Sequence, residues 1–290
     1  MIDLISNTLS SITRKLAFIP GMFYVTKPFH KVFTKYYSKQ GDKAGWRIIS
    51  LNGYKMKVNV THRMASYIYW RGAHEWAPLM LLQKELKKGM VVYDIGGNIG
   101  EMALFCAHKV GDEGKVYSFE PLDETYEVLR ENVSLNKYNN RLVAFNIALS
   151  DKIGEADLFA ASEQNDLGSF EDGSHTLYAT KNRGTFLQKI KMETLDNKQK
   201  ELLPPDFMKI DVEGAELFVL KGGKETIKKY HPKILLEFNA DTFQAAGYTQ
   251  TDVLDFLRQF DYKFFAIENR GRLTELNTSA LPEFVNLLCI

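Results

Sequence analysis

Val91-Val92-Tyr93-Asp94-Ile95-Gly96-Gly97-Asn98-Ile99-Gly100 is the stretch whose reading decides the fold. Apolar residues lead into an acid, then a glycine-rich turn, then a helical pattern over Gly100–Lys109. With a first strand at Val91–Asp94, further strands are predicted at Val116–Glu120, Leu142–Ile147, Phe207–Asp211 and Ile234–Phe238. Helical patterns cover Asp123–Leu135, Ala215–Leu220, Lys224–Lys229 and Thr251–Phe260. Another helix is predicted at Glu75–Lys88, closed by Gly89. Short apolar strands alternating with helices predict an α/β fold, a Rossmann-like, doubly wound parallel sheet with helices on both faces. Ligands bind such sheets outside the carboxyl ends of the strands.

The acids at those ends narrow the chemistry. The spacing is D-x-G-x-x-x-G, whereas a dinucleotide fingerprint reads G-x-G-x-x-G without an acid just before its first glycine. An acid there repels a pyrophosphate and suits a cationic amino-acid end. S-adenosylmethionine carries an ammonium and a sulfonium, so the electrostatics favour it over a nicotinamide cofactor. Glu120 ends the second strand, 20 residues past Gly100, where an acid meets ribose hydroxyls. The fourth strand runs into Lys209-Ile210-Asp211-Val212-Glu213-Gly214-Ala215-Glu216, and the fifth into Leu235-Leu236-Glu237-Phe238-Asn239. Asp211, Glu213, Glu237 and Asn239 are therefore expected to converge beside the ligand. Glu213 and Glu216 have a second reading, as acids in the first turn of a helix.

These residues make the chain resemble the FkbM family of S-adenosylmethionine-dependent methyltransferases. The resemblance rests on Asp94 to Gly100, Phe119-Glu120-Pro121, Asn132 with Asn136, Ala148-Leu149-Ser150-Asp151, Lys209 to Glu216, and Leu235 to Phe238. Its most specific part is Asp-Val-Glu-Gly-Ala-Glu. One departure is Gly97, where the family often has alanine. The resemblance covers roughly residues 70–240 and leaves 1–65 and 240–290 unmatched. It implies the class I methyltransferase sheet, and an O-methyltransferase acting on a hydroxyl of a sugar, glycan or related small molecule. By motif position, Asp94 orients the donor's amino-acid end, Gly96, Asn98 and Gly100 line the turn, Glu120 holds the ribose, and Ala148 lies under the adenine. Glu75, three residues after Gly72, closes the donor site in this reading.

Methyl transfer to a hydroxyl needs alignment and a base. Asp211, Glu213 and Glu237 are the candidate bases. A divalent metal such as Mg²⁺ on Asp211, Glu237 and Asn239 is the less favoured alternative. His74 and His175 are weaker base candidates, while His108 and His231 are expected to be structural. Ser169 is read either as a polar group facing the pocket or as a turn serine. Trp70, Trp76, Phe170 and Tyr178 are either stacking faces for sugar rings or core. Three other functions compete. A nicotinamide-dependent sugar oxidoreductase lacks its glycine spacing here. A non-catalytic adenosyl-ligand-binding module would have lost the acids. A nucleic-acid amino-methyltransferase needs an Asn/Asp-Pro-Pro-aromatic element after the fourth strand, and Pro204-Pro205 precede it instead.

The remainder sets the context. The 290 residues carry a net charge of +1, so no nucleic-acid partner is expected from global charge. Cys106 and Cys289 make no disulfide framework, which points to a reducing, cytoplasmic compartment. No spanning helix or secretory signal is expected; the longest charge-free stretch, Leu16–Thr26, is interrupted by Pro20-Gly21. The organisation expected is a helical extension with a hairpin at 1–65 and a catalytic domain at 66–290, with an insertion at about 151–195. The insertion is read as a lid or substrate wall with strands near Ala156–Phe159 and Phe186–Met192. The hairpin, Trp46–Leu51 and Tyr54–Val60, flanks Asn52-Gly53.

Residues 1–40 hold Arg14, Lys15, Lys27, Lys31, Lys35 and Lys39 against Asp3 alone, a net +5. Ile2, Ile5, Leu9, Ile12, Leu16 and Ile19 form one helical stripe, and a second short helix is predicted from Pro28 with Phe29, Val32, Phe33 and Tyr36 on one side. The favoured reading docks the apolar stripe on the body of the protein or on a second copy, as a homodimer. The alternatives are a membrane-surface anchor, which makes the protein membrane-peripheral, or a dock for a partner enzyme.

Overall fold

The computed structural model describes residues 2–16, 28, 32–51, 53–160, 175–177 and 185–290. Of these, the residues up to Glu75 form one unit and the rest a second.

The first unit holds α1 (Ile2–Leu16), α2 (32–38), a hairpin of β1 (Trp46–Leu51) and β2 (Tyr54–Asn59), and α3 (Arg63–Arg71). The hairpin pairs antiparallel from Trp46↔Asn59 to Leu51↔Tyr54, as its turn signal predicts. Gly53 takes φ +106°, and Asn52 lies outside the described residues. Pro28 is helical, as predicted for the start of the second helix, and Phe29 lies outside the described residues. Trp70 is buried between Tyr69 and Phe33, with ring centroids at 5.2 and 5.3 Å, so it is core and not a sugar platform. Among the described residues the apolar stripe of α1 is largely uncovered, with Leu9 and Leu16 half-buried. Ser6, Ser10 and Thr13 face inward, and Ile2, Leu4, Ile5 and Ile12 face solvent. Amphipathic periodicity tells which residues share a face; it does not tell which face finds partners.

The second unit opens with α4 (Trp76–Glu85), shorter at both ends than predicted, and then alternates. In order come β3 (Val91–Ile95), α5 (Glu101–Val110), β4 (Lys115–Phe119), α6 (Asp123–Leu135), β5 (Leu142–Phe145), β6 (Ala148–Ser150), β7 (Gly154–Ala160), β8 (His175–Thr176) and β9 (Phe186–Thr194). There follow α7 (Leu195–Gln199), β10 (Phe207–Ile210), α8 (Glu216–Gly222), α9 (Lys224–Tyr230), β11 (Lys233–Asn239), α10 (Ala240–Ala245), α11 (Gln250–Arg258), β12 (Phe264–Glu268), β13 (Arg272–Glu275) and β14 (Phe284–Cys289).

The main sheet has the order β13-β12-β14-β11-β10-β3-β4-β5. Strands β11, β10, β3, β4 and β5 are parallel, as the alternation predicts. The sheet as a whole is mixed. β14 runs antiparallel between β11 and β12, and β13 is antiparallel to β12. Residues 264–289 supply this edge. The strand predicted at Leu142–Ile147 is shorter than expected, and a separate strand follows it. β5 ends at Phe145, and β6 joins a second sheet of order β6-β9-β7-β8 built from the insertion. Alternate residues of the parallel strands, Val91, Tyr93, Ile95, Met208, Ile210, Ile234 and Leu236, pack with Leu217, Leu220, Leu254 and Leu257 into one core. Among the described residues no helix is long and apolar enough to cross a membrane.

Candidate active site

Buried parallel strands are normally apolar on both faces. β3 and β10 break that rule in one row. Asp94 pairs with Ser118 on one side and with Lys209 on the other, so the pleat sends all three side chains to the same face. Asp94 is fully buried, and Ser118 Oγ donates to its Oδ2 at 2.9 Å. Lys209 Nζ donates to the Gly96 carbonyl at 2.7 Å and lies 3.7 Å from Asp94 Oδ1 and 3.3 Å from Asp211 Oδ2. Asp94 Oδ1 is buried without a hydrogen bond. Burial pushes the Asp94 carboxyl up, opposed chiefly by the Lys209 charge. Burial disfavours the Lys209 ammonium, but Asp211 and Asp94 outweigh it and hold the ammonium above its ordinary range. Lys209 was not singled out from the sequence. Its signal was there: one lysine inside the apolar strand Phe207-Met208-Lys209-Ile210.

The glycine turn lies across this row. Gly96 takes φ +82°, and a Cβ there would stand 1.8 Å from the Asp211 carbonyl oxygen. A Cβ on Gly97 would meet Ser118 Oγ at 2.1 Å, so the residue that departs from the family pattern makes room for the serine that holds Asp94. Asn98 is left-handed at φ +48°, and its side chain accepts from the Ile99 N–H at 2.7 Å. Asn132 Nδ2 donates to the Ile99 carbonyl at 2.9 Å, which ties α6 to the turn. Gly100 caps α5. Glu120, just past β4, accepts the Asn98 N–H on Oε2 and the Leu122 N–H on Oε1, each at 2.9 Å. Burial raises its pKa from 4.5 to about 7 against the pull of those two donors. Asp94, Gly96, Asn98, Gly100 and Glu120 are thus brought together.

The next two strand ends meet as their register requires. Ile210 pairs with Leu236, so Asp211 and Glu237 are neighbours one step beyond. Their carboxyls share a hydrogen bond; burial and the adjacent Asp211 charge push the Glu237 pKa well above the carboxylate range. Burial and the Asp211 charge thus favour the protonated form of Glu237. Asn239 caps α10 by accepting the Asp241 N–H at 3.2 Å, and its Nδ2 lies 3.4 Å from Glu237 Oε1. Glu216 opens α8 and accepts the N–H groups of Val212 and Gly214 at 2.9 and 3.0 Å, the helix-start role. Glu213, at φ +52°, sits in the loop they tie down. Among the described residues no group of three or more His, Cys, Asp or Glu side chains is arranged to hold a metal ion.

The sequence model of the Methyltransferase FkbM domain matches residues 94–264, from the buried aspartate to β12. The chain belongs to the FkbM methyltransferase family. Hexuronic acid methyltransferase AglP of Haloferax volcanii is 29% identical over 144 residues, 50% of this chain and 54% of that protein. Methyltransferase sdnD of Sordaria araneosa is 26% identical over 179 residues, 54% of this chain and 67% of that protein. The chain spans about half the length of the first of these and two thirds of the second. A solved FkbM methyltransferase from Methylobacillus flagellatus aligns with 92% of this chain and 59% of its own at 13% identity, with a TM-score of 0.47.

Other predicted residues of this FkbM chain fall elsewhere. Ala148 opens β6, just beyond the β5 end, where Asn146 Nδ2 donates to the Glu120 and Pro121 carbonyls at 3.2 and 3.1 Å. Glu75 and His74 belong to the first unit. His175 lies in β8, and burial lowers its pKa to about 4, which makes it a weak base. Thr176 beside it donates to the Glu213 carbonyl at 2.9 Å, while Gln188 of β9 donates to the Pro121 carbonyl at 3.2 Å. The second sheet is thereby pinned to two site loops. Ser169, Phe170 and Tyr178 lie outside the described residues. His108 sits on α5 with Tyr138, and His231 caps α9 and stacks on Tyr262 at 4.2 Å; both are structural, as expected.

Proposed function

We propose that the protein is an S-adenosylmethionine-dependent O-methyltransferase whose acceptor is a hydroxyl of a sugar, a glycan or a related small molecule. The observation that carries this reading is the joining of two carboxylate systems at one sheet edge. Asp94 and Glu120 flank the glycine turn, and Asp211 with Glu237 ends the next two strands. The turn fits an adenosyl donor. Gly96 keeps the floor open, Asp94 Oδ1 is a buried acceptor with no hydrogen bond, and Glu120 is held by two backbone donors with lone pairs to spare. When bound, S-adenosylmethionine supplies a methyl group already activated on sulfur. Asp94 faces the donor's amino-acid end, Glu120 the ribose, and Ala148 lines the adenine side.

The two carboxyls at the neighbouring strand ends divide the acid–base work. Burial and the neighbouring charge favour the protonated form of Glu237, which leaves Asp211, at the adjoining strand end, as the base that takes the acceptor hydroxyl's proton. Glu237 donates to Asp211 and fixes its orientation. Lys209, 3.3 Å from Asp211, neutralises the charge of the row. Glu213 takes the rim, under the wall made by β8. Asn239, used as a helix cap, and the protonated Glu237 are poor metal ligands, so no metal enters this reading. A sugar acceptor is supported by the name of the Haloferax relative, a hexuronic acid methyltransferase. The missing G-x-G-x-x-G spacing tells against the nicotinamide alternative, and the retained acids against a non-catalytic module.

The test is transfer of labelled methyl groups from S-adenosylmethionine to a panel of sugars and uronic acids by wild type and Asp211→Asn. Activity on a sugar hydroxyl that falls by about 10²- to 10⁴-fold in Asp211→Asn, with donor binding kept, is the expected result. Label found on nitrogen or carbon, or full activity in Asp211→Asn, contradicts the reading.

A further inference from the structure

α1 is attached to its unit by the wrong face for an ordinary amphipathic helix. Ser6, Ser10 and Thr13 are 0, 0 and 7% exposed, while Ile2, Leu4, Ile5 and Ile12 are 38, 72, 46 and 49% exposed. The inward contacts are specific. Tyr69 Oη donates to Asn7 Oδ1 and accepts from Ser6 Oγ, both at 2.8 Å. Thr13 Oγ1 and Arg14 donate to the carbonyls of Trp70 and Tyr69, each at 2.6 Å. Small hydroxyl residues let α1 lie close on α3, and every hydroxyl named here has a partner. The helix is thus held in a pose that turns its apolar stripe outward. A cluster of exposed isoleucine and leucine is costly in water, and it marks a surface meant for contact.

The charge beside it selects the contact. Asp3, the one acid of the first forty residues, is taken up by Arg47 at 2.5 Å and Tyr37 at 2.8 Å. Tyr37 lies in the last turn of α2, which exposes Val32 at 66% together with Lys35 and, just beyond, Lys39; the spacing 32, 35, 39 is one helical face. Residues 1–40 total +5 in a chain of net +1. A second copy of the same surface would bring like charges together. A neutral apolar groove would leave the lysines unused. We propose that α1 lies in the surface of an anionic membrane, with Ile2, Leu4, Ile5 and Ile12 entering the acyl boundary and Lys15, Lys35 and Lys39 meeting lipid phosphates. The hydroxyl face of α1 is its packing face, so its composition carries no information about lipid. The proposal is independent of the methyl-transfer reading.

The experiment is flotation of the full chain with vesicles of equal parts phosphatidylcholine and phosphatidylglycerol, beside pure phosphatidylcholine. Wild type is expected to float with the anionic vesicles, less at high salt, and weakly or not at all with the neutral ones. Leu4→Glu with Ile12→Glu is expected to lower partitioning at least about tenfold. Lys35→Glu with Lys39→Glu lowers it about tenfold through charge alone and reports on the same surface should the first pair disturb folding. All four side chains are exposed or nearly so, and an unchanged unfolding midpoint confirms an intact fold. The idea is overturned by wild type that does not float, by flotation that both pairs leave intact, or by a dimer in light scattering that Leu4→Glu dissociates.

Discussion

Among the described residues, two clusters of buried polar groups are built in opposite ways. Under α1 the hydroxyls of Ser6, Ser10 and Thr13 are buried and each hydrogen-bonded, while Ile2, Leu4, Ile5 and Ile12 lie exposed. At the carboxyl edge of the main sheet the buried groups are charged, and one oxygen of Asp94 has no hydrogen bond at all. Satisfied neutral groups hold two helices together. A charge that is paired but incompletely satisfied is a reservoir for a ligand, because a donor arriving there recovers desolvation already incurred.

The strongest way to break this contrast is at Lys209. Lys209→Met leaves Asp94 buried without its counter-charge and is expected to destabilise the fold by about 3–5 kcal/mol, read from denaturant midpoints. Pairing it with Asp94→Asn recovers most of the loss. A mild effect of Lys209→Met alone would mean that the row is better solvated than its burial indicates. Gly97→Ala comes next. The added methyl runs into Ser118 Oγ and costs about 1–3 kcal/mol, and Ser118→Ala in the same chain relieves the clash. Independent, additive effects would refute the coupling. Under α1, Thr13→Val orphans the Trp70 carbonyl for about 1–2 kcal/mol, whereas Leu4→Ser on the open face changes stability by less than about 0.5 kcal/mol. A reversal of that order would mean that the helix docks by its stripe after all.

The smallest effect is a pH dependence with two signs. Glu120 and Glu216 are each raised from 4.5 to about 7 by burial. A raised carboxyl favours the fold while it is protonated, so this contribution is lost as pH rises from about 4.5 to 7 and the ligand-free protein softens. Donor binding runs the other way. It needs ionised Glu120, so affinity for S-adenosylhomocysteine is expected to rise about tenfold from pH 6 to 8 and to level off above. Glu120→Gln flattens the binding profile. A profile equally steep in that variant would assign the dependence to another group.

The strands from Val91 to Phe238 were legible because parallel strands are continuous apolar runs bounded by helices, and Asp94, Gly96, Glu120 and Asp211 because each stands at a strand's carboxyl end. The antiparallel edge was not legible. β12, β13 and β14 depend on pairings among short segments with no crossover helix between them, and their order is tertiary information. The outward face of α1 was hidden for a related reason. A stripe of apolar residues is a property of one helix, and its docking is a property of two. Lys209 was visible and passed over, since a lysine in a strand is usually at the surface, and only the register with Asp94 shows that it points inward.

Calorimetric titration with S-adenosylhomocysteine, run beside NADH on wild type and Glu120→Ala, tests the site most directly. Micromolar binding of the adenosyl ligand, no heat from NADH, and a loss of about tenfold or more in Glu120→Ala are the predicted results. Binding of NADH in its place, or adenosyl binding that Glu120→Ala leaves untouched, would contradict the assignment of the glycine turn and Glu120 to the methyl donor.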